Sequence, residues 1–492
     1  MLTGEEGEGL KARILAEENR KWWTLAAVSF GLFMIMLDNT IVNVALPTIQ
    51  SSLHLKVSEL EWVVAGYALT FGALMLTGGK LSDLLGRRAM FVVGLVIFTL
   101  SSLACGLAGG ASVLIAARVV QGVGAALMNP STLSIITVTF PPRQRGTAIG
   151  IWAGVSALAL AIGPLAGGLI TEHINWNWIF FINVPIGALA IAAAFAFIEE
   201  SRDTSHEQRP DVPGLVTSAL GLFALSYGLI EANTYGWGSA RILAAFAIAV
   251  VSIAAFVLLE MHQRLPMLEL GLFRNRGFSG ANTVMLLVGL AMFGVFFYVS
   301  LYVQQILGYS PVQAGASFLP WTMLIILLAP QAGRLSDRVG PRPFVAGGML
   351  VLTGSLFLFS RMGLHESFWG LLPAMILGGV GMSAAMAPTT AAAMSSVRPE
   401  KAGVGSAVLN SMRQVGGSLG IAIMGAVVAS GVSSSLASHH SRPDAFMNGF
   451  HHALDLGALI ALVGSAIAVA TLKHARHRQT APEAEPAFTE AA

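Results

Sequence analysis

The sequence predicts an all-α polytopic membrane protein with fourteen transmembrane helices, on three observations. Only 11% of its 492 residues are charged while 55% are hydrophobic, with a mean hydropathy of +0.71. A soluble domain carries roughly 25% charged residues, and a soluble chain this apolar could not cover its own surface. Fourteen runs reach the roughly 20 apolar residues that span a bilayer. The basic residues between the runs alternate in number from one connection to the next.

The runs lie near 23–47, 58–79, 89–108, 112–135, 147–170, 178–198, 212–231, 240–260, 279–305, 312–332, 343–361, 369–392, 403–430 and 451–472. Residues 5–21 read as a short charged helix that leads into Trp22 and Trp23 at the first interface. The first apolar run is too long for a signal-peptide core, so residues 1–21 are expected to be a cytoplasmic segment. The tail over 474–492 is polar and proline-containing, with the composition of a disordered segment.

Counting Lys and Arg tests the span number, because cytoplasmic loops carry the excess. Of the 28 bases, 22 fall on one side, 4 on the other (Lys56, Arg241, Arg361 and Arg442), and Arg118 and Arg413 lie inside spans. One misplaced span would scramble that split, so both termini are expected in the cytoplasm of a multi-pass inner (plasma) membrane protein. The formal net charge of +2 carries no nucleic-acid footprint. The single cysteine, Cys105, excludes an intrachain disulfide and reads as a packing residue.

The chain also repeats itself. The stretch Gly79 to Arg88 (GKLSDLLGRR) reads as a short polar loop, with Gly79 and Gly86 permitting a tight turn. A degenerate copy, GRLSDRVGPR, starts at Gly333 and carries Asp337 and Gly340. Gly122, Val123, Gly124 and Ala125 recur as Gly379, Val380, Gly381 and Met382, and Pro142 and Gly146 as Pro399 and Gly403. The duplicated unit is therefore six helices. The expected division is an N-terminal half over 22–200, a two-helix insert over 201–262 and a C-terminal half over 263–473. In the glycine loops Asp83 is expected to cap the next helix or to pair with Arg87 or Arg88, with Arg143 and Arg145 as further partners. Asp337 with Arg334, Arg338 and Arg342 would repeat that latch.

Buried charge is the sharpest chemical signal. A charge at the bilayer centre costs about 3 kcal/mol on insertion scales, so such residues are functional by default. Asp38 reads as the one acid well inside a span, Arg118 sits in the fourth run and Arg413 in the thirteenth. Asp38 is either a proton carrier that also attracts cations or half of a structural ion pair. Arg118 shares a helix face with Gln121, Gly122, Ala125 and Asn129 by three-to-four spacing. It would tune a carboxylate rather than carry a proton, because guanidinium does not deprotonate. Arg413 either serves cargo, snorkels, or bridges the halves. Gly163, Pro164, Gly167 and Gly168 in the fifth run combine a small-residue contact surface with a permitted kink. Glu59 and Glu61 open the second run and read as interfacial, while Glu231 at the end of the seventh is a weaker candidate for cation capture. His439, His440, His451 and His452 lack metal-ligand spacing, so no metal site is expected. No GxxxxGK[ST] loop or hydrolase triad appears, which speaks against ATP drive, a cofactor or an enzyme.

These stretches resemble the fourteen-helix drug:proton antiporters of the major facilitator superfamily, the EmrB/QacA-like group. LDNTIVNVALP at 37–47, GGKLSDLLGRR at 78–88, RVVQGVGAA at 118–126, GPLAGG at 163–168, WIFFINVPIG at 178–187 and LGLFRNRGF at 270–278 carry the resemblance, in order, over nearly the whole chain. Two departures stand out: Asn177 occupies a position where Arg is usual, and Ala159 one where glycine is common. The resemblance implies a major facilitator fold, two six-helix halves plus two inserted helices. It implies proton-coupled efflux of lipophilic, cationic small molecules across the lipid bilayer by a monomer using alternating access, with Asp38 and Arg118 in the coupling roles. A dedicated metabolite or antibiotic exporter, an uptake symporter and a transport-inactive sensor are the alternatives. The topology is testable in a Cys105→Ala background. A membrane-impermeant maleimide should label Gly238→Cys in intact cells and Arg202→Cys only after permeabilisation, and the reverse pattern would overturn the alternation.

Overall fold

A computed structural model describes residues 17–203, 211–264, 266–397, 402–439 and 441–473. Expectations about the chain before residue 17, His440, Pro399 and the tail from His474 lie outside the described residues. Among the described residues fourteen helices are long and apolar enough to cross a membrane, as the sequence predicts. They are α1 (Asn19–Leu53), α2 (Val57–Leu85), α3 (Arg87–Gly106), α4 (Ala111–Thr139), α5 (Arg143–His173), α6 (Trp178–Phe197), α7 (Val212–Tyr235), α8 (Ala240–His262), α9 (Arg276–Ile306), α10 (Pro311–Val339), α11 (Pro341–Phe359), α12 (Phe368–Ser395), α13 (Gly403–Ala437) and α14 (Arg442–Thr471). No strand occurs among the described residues.

The polar stretch from Gly79 is not a loop. α2 continues through it to Leu85, and Gly86 alone separates α2 from α3. Gly86 has φ +123°, a conformation that needs glycine, whereas Gly79 is an ordinary helical position. Gly340 repeats this at φ +96°, and Gly333 lies inside α10. Asp83 pairs with Arg87 at 2.9 Å one helical turn on, as expected. It does not cap α3. Glu200, arriving from the end of α6, accepts the backbone N–H groups of Arg88 and Ala89 at 3.1 and 3.0 Å, supplying the negative charge a helix N-terminus favours. Arg145 instead donates to the Phe140 carbonyl. Among the described residues Asp337 makes no ion pair, so the second copy keeps the turn and loses the latch.

The helices pack as two related groups. In the first, α4 lies against α2 and α3, and α1 against α5 and α6; in the second, α12 lies against α10 and α11, and α13 and α14 against α9. The groups meet along two seams, α2 with α13 and α5 with α10. Glycine makes the second seam possible. A Cβ on Gly168 would collide with the Pro311 carbonyl, one on Gly315 with the Pro164 carbonyl, and one on Gly163 or Gly167 with Thr40 or Ile41 of α1. Ala159 is fully buried, so that departure is accommodated within the contact. Asn177 donates to the Gly106 carbonyl at 2.6 Å, a local contact between helix ends.

At the end away from the basic loops, hydrogen bonds join α1 to α9 and α5 to α10. Ser300 donates to the Asn43 carbonyl at 2.7 Å, Gln304 to the Val44 carbonyl at 2.9 Å, and Val312 N–H to Glu172 at 2.8 Å. Toward the basic end α5 and α10 are exposed, and a Cβ on Gly146, Gly150 or Gly154 would meet nothing within 4 Å. Along the α5–α10 seam the molecule is thus joined at one end and open at the other.

α7 and α8 pair with each other, and α7 lies along the α2–α13 seam. Asn233 of α7 donates to the Ala426 carbonyl of α13 at 2.9 Å. The linker after α8 is tied to the foot of α2. There Thr77 hydrogen-bonds the Met267 sulfur, Lys80 reaches the Pro266 carbonyl, and Asp211 and Glu260 accept the Met267 and Leu268 amides. α8 keeps an exposed apolar face, including Val250, Val251 and Leu258, facing the surroundings.

The glycine seam is testable by stability. Gly168→Ala should destabilise the protein by about 1–3 kcal/mol through overpacking, read as a lowered thermal midpoint in detergent. Gly150→Ala, in open space, should not lower it. Equal midpoints for both variants would contradict the close approach.

Candidate functional site: a buried ion pair beside an unpaired arginine

The site begins with helix approach. A Cβ on Gly122 would sit 2.6 Å from the Tyr67 carbonyl, and one on Gly124 would sit 2.6 Å from the Phe98 amide. Small residues on two faces of α4 therefore draw α2 and α3 onto it. That closeness lets Arg118 reach across. Its Nε donates to the Val63 carbonyl of α2 at 3.0 Å, and Nη1 contacts Asp38 Oδ2 of α1 at 2.5 Å and Gln121 Oε1 at 2.7 Å. The guanidinium lies 4.2 Å from the Tyr67 ring centroid, a cation–π contact.

Gln121 closes the network. Its amide nitrogen donates to Asp38 Oδ1 at 3.1 Å and to Ser102 Oγ of α3 at 2.7 Å, and Asn183 of α6 donates to the same hydroxyl at 3.2 Å. Both carboxylate oxygens of Asp38 are engaged, and Asp38 and Arg118 are each 1% exposed. Coulomb attraction in a low dielectric and four hydrogen bonds offset a desolvation penalty that would otherwise be several kcal/mol per ion. Of the face expected on α4, Gln121 joins Arg118, Gly122 serves the helix approach, and Asn129 is buried two to three turns away. Cys105 is buried with its sulfur 3.8 Å from Gln121.

Arg413 does not snorkel. It is 6% exposed in the middle of α13, and no carboxylate pairs with it among the described residues. The glycine-rich neighbourhood explains its position: Gly289 of α9 abuts the Arg413 backbone, where a Cβ would clash.

Glu61 corrects the sequence reading. It lies one turn inside α2, at the end of the span where the sequence places it, yet it is only 3% exposed, so it is a buried acid like Asp38. Tyr298 of α9 donates to it at 2.7 Å, and Gly425 of α13 makes room for its carboxylate. Glu231 of α7 is half-buried and stands outside the Asp38 network, whose carboxylate oxygens are held by Arg118 and Gln121. The burial comes from the opposite helix group covering the start of α2. A tyrosine 237 residues downstream leaves no mark on the hydropathy of α2, and neither do Ser102 or the Val63 carbonyl.

The ion pair yields a stability test. Arg118→Ala strands Asp38 in a buried site and should cost about 3–5 kcal/mol. The double variant Asp38→Asn/Arg118→Gln should be clearly less damaged, measured by unfolding in detergent micelles. A double variant as unstable as the single would contradict charge compensation as the reason for the network.

Comparison with known proteins now places the chain. Residues 28–421 match the family model of the Major Facilitator Superfamily. The tetracenomycin C resistance and export protein of Streptomyces glaucescens is 38% identical over 413 residues, 84% of this chain and 77% of that one. The puromycin resistance protein of Streptomyces alboniger is 36% identical over 438 residues, covering 88% and 87%. The multidrug resistance protein Stp of Mycobacterium tuberculosis is 36% identical over 422 residues, covering 85% and 78%. In fold, the chain matches a bacterial homologue of the human lysosomal transporter Spinster, solved in an inward-facing and unoccupied conformation. The TM-score is 0.65 at 16% identity, over 92% of this chain and 97% of that one. With its fourteen helices and a family match over most of its length, the chain belongs to the major facilitator superfamily and is a membrane transporter, not an enzyme.

Proposed function

We propose that this transporter exports lipophilic small molecules in exchange for protons, with Asp38 as the coupling acid. The observation that carries this reading is the buried Asp38–Arg118–Gln121 network. Protonating Asp38 cancels its attraction for Arg118, while Arg118 stays charged at every relevant pH. The proton therefore trades the contact between α1 and α4 for a free guanidinium, a change that biases one arrangement of the halves over another. Relatives named for resistance to tetracenomycin C, puromycin and several drugs support export as the direction.

In this reading the basic loops face the cytoplasm, both termini lie there, and the open end is the inward-open state of a plasma-membrane monomer. The division into halves over 22–200 and 263–473 with an insert over 201–262 belongs to the same proposal. The latch role of Gly79, Asp83, Gly86, Arg87 and Arg88 is narrowed to Gly86, Asp83 and Arg87, with Glu200 joining them. On cargo charge, sequence and geometry pull apart. A cation would have to displace Arg118 from Asp38, so cationic cargo has less support from the geometry than from the sequence. A second reading, a dedicated exporter of one natural product, is favoured by the relatives whose names carry a single antibiotic.

Proteoliposomes loaded with a pH-sensitive dye test the proposal. Across a panel of lipophilic compounds that includes ethidium, at least one should evoke proton movement in the wild type. Asp38→Asn should reduce it by about a hundredfold or more, within the range expected of a lost proton-transfer group. Equal flux in both proteins would move the proton site away from Asp38. No flux with any panel member, but flux with a single natural product, would select the second reading.

A further inference from the structure

We propose that Arg413, Gln414 and Tyr67 form the acceptor for an acidic oxygen group on the cargo, a carboxylate, phenolate or enolate carried by a lipophilic body. This rests on the export reading above and names the class of compound the same central region takes. The three residues meet where α13 of one half lies against α2 of the other. Ser411 donates to the Gly72 carbonyl at 2.5 Å and Ser418 to the Ala65 carbonyl at 3.2 Å, bracketing Arg413 and Gln414 on α13 and Tyr67 on α2.

Among the described residues each of the three lacks a hydrogen-bonding partner for its side chain. The Tyr67 hydroxyl and both amide atoms of Gln414 are buried without a hydrogen bond, although the residues are only 1% and 0% exposed. Among the described residues no side chain pairs with the Arg413 guanidinium. The Tyr67 ring lies against the Arg118 guanidinium at 4.2 Å, and its helix packs on α13, so Tyr67 links the ion pair to the seam that carries Arg413.

A buried polar group without a partner is costly, and a buried unpaired charge more so. Asp38 cannot serve Arg413, because both its oxygens are held by Arg118 and Gln121. What the cluster offers is a guanidinium fork, a hydroxyl and an amide whose N–H₂ donates and whose oxygen accepts. The donors outnumber that one acceptor, and the three residues lie along the α2–α13 seam. The fork geometry suits a planar oxyanion, which it binds through two parallel hydrogen bonds. An ammonium cargo would meet like charge there. Arg413 keeps a little exposed surface where Arg118 keeps almost none, as an acceptor for a diffusing ligand requires.

The test uses one fluorescent ring in three charge states: pyrenecarboxylate, its methyl ester, and pyrenemethylammonium. Binding to the full chain in lipid nanodiscs is read by fluorescence anisotropy. The wild type should bind the carboxylate at least about tenfold tighter than the ester or the ammonium, in the range of a buried charge pair. Arg413→Gln should bring the carboxylate-to-ester ratio to within about twofold of unity, and Arg413→Lys should keep a preference weakened about threefold for want of the fork. The lysine variant holds the test open should the glutamine variant not fold. A wild type that binds carboxylate no tighter than ester, or an Arg413→Gln protein that keeps the wild-type ratio, overturns the acceptor. The export reading is judged separately in proteoliposomes. A wild type that prefers the carboxylate in binding yet moves none of the probes refutes export and leaves the acceptor standing. One that exports ester and carboxylate alike refutes the acceptor and leaves export standing.

Discussion

A guanidinium inside a membrane cannot shed its proton, so the surroundings have to answer its charge. Arg118 imposes that condition on the N-terminal half. Asp38 from α1, the Val63 carbonyl from α2 and Gln121 from its own helix supply the answer, with Ser102 of α3 and Asn183 of α6 behind them. Five helices are thus tied to one side chain. Gly122 and Gly124 are there because helices must come within backbone contact for such short side chains to reach. The polar network and the small-residue packing are two aspects of one requirement.

The second half does not repeat this arrangement although it repeats the helices. At the offset of the Gly122–Gly379 repeat, the counterpart of Arg118 is Met375, fully buried and apolar. At the same offset Arg413 corresponds to Ser156. Among the described residues, one half carries a neutral ion pair and the other a buried cation with no acid partner. The two halves are similar in fold and different in charge, which gives the central region an electrostatic polarity across the seam.

Much of the architecture was legible in the sequence because it depends on local composition. Span number follows from apolar length and from the placement of bases, and the six-helix repeat from matched glycines and prolines. Asp38, Arg118 and Gln121 were legible as residue types in the wrong solvent. Their contact, across 80 residues of chain, was an inference that geometry had to supply. What escaped was set by partners distant in the chain or by how far a helix runs. Glu61 looks interfacial until Tyr298 and Gly425 cover it, and Gly79 looks like a turn until α2 is seen to continue six residues past it to Leu85. The capping of α3 by Glu200 was equally hidden, since the acid arrives 112 positions downstream of Arg88.

The inserted pair has a mechanical consequence. Near the joined end α7 is fastened to α13 through Asn233, and at the opposite end the linker leaving α8 is fastened to α2 through Thr77 and Lys80. One attachment belongs to each half. The pair thus bridges the seam between the halves, and any displacement of one half against the other would load it in shear. Its compliance, rather than its chemistry, would set how far it resists such a displacement.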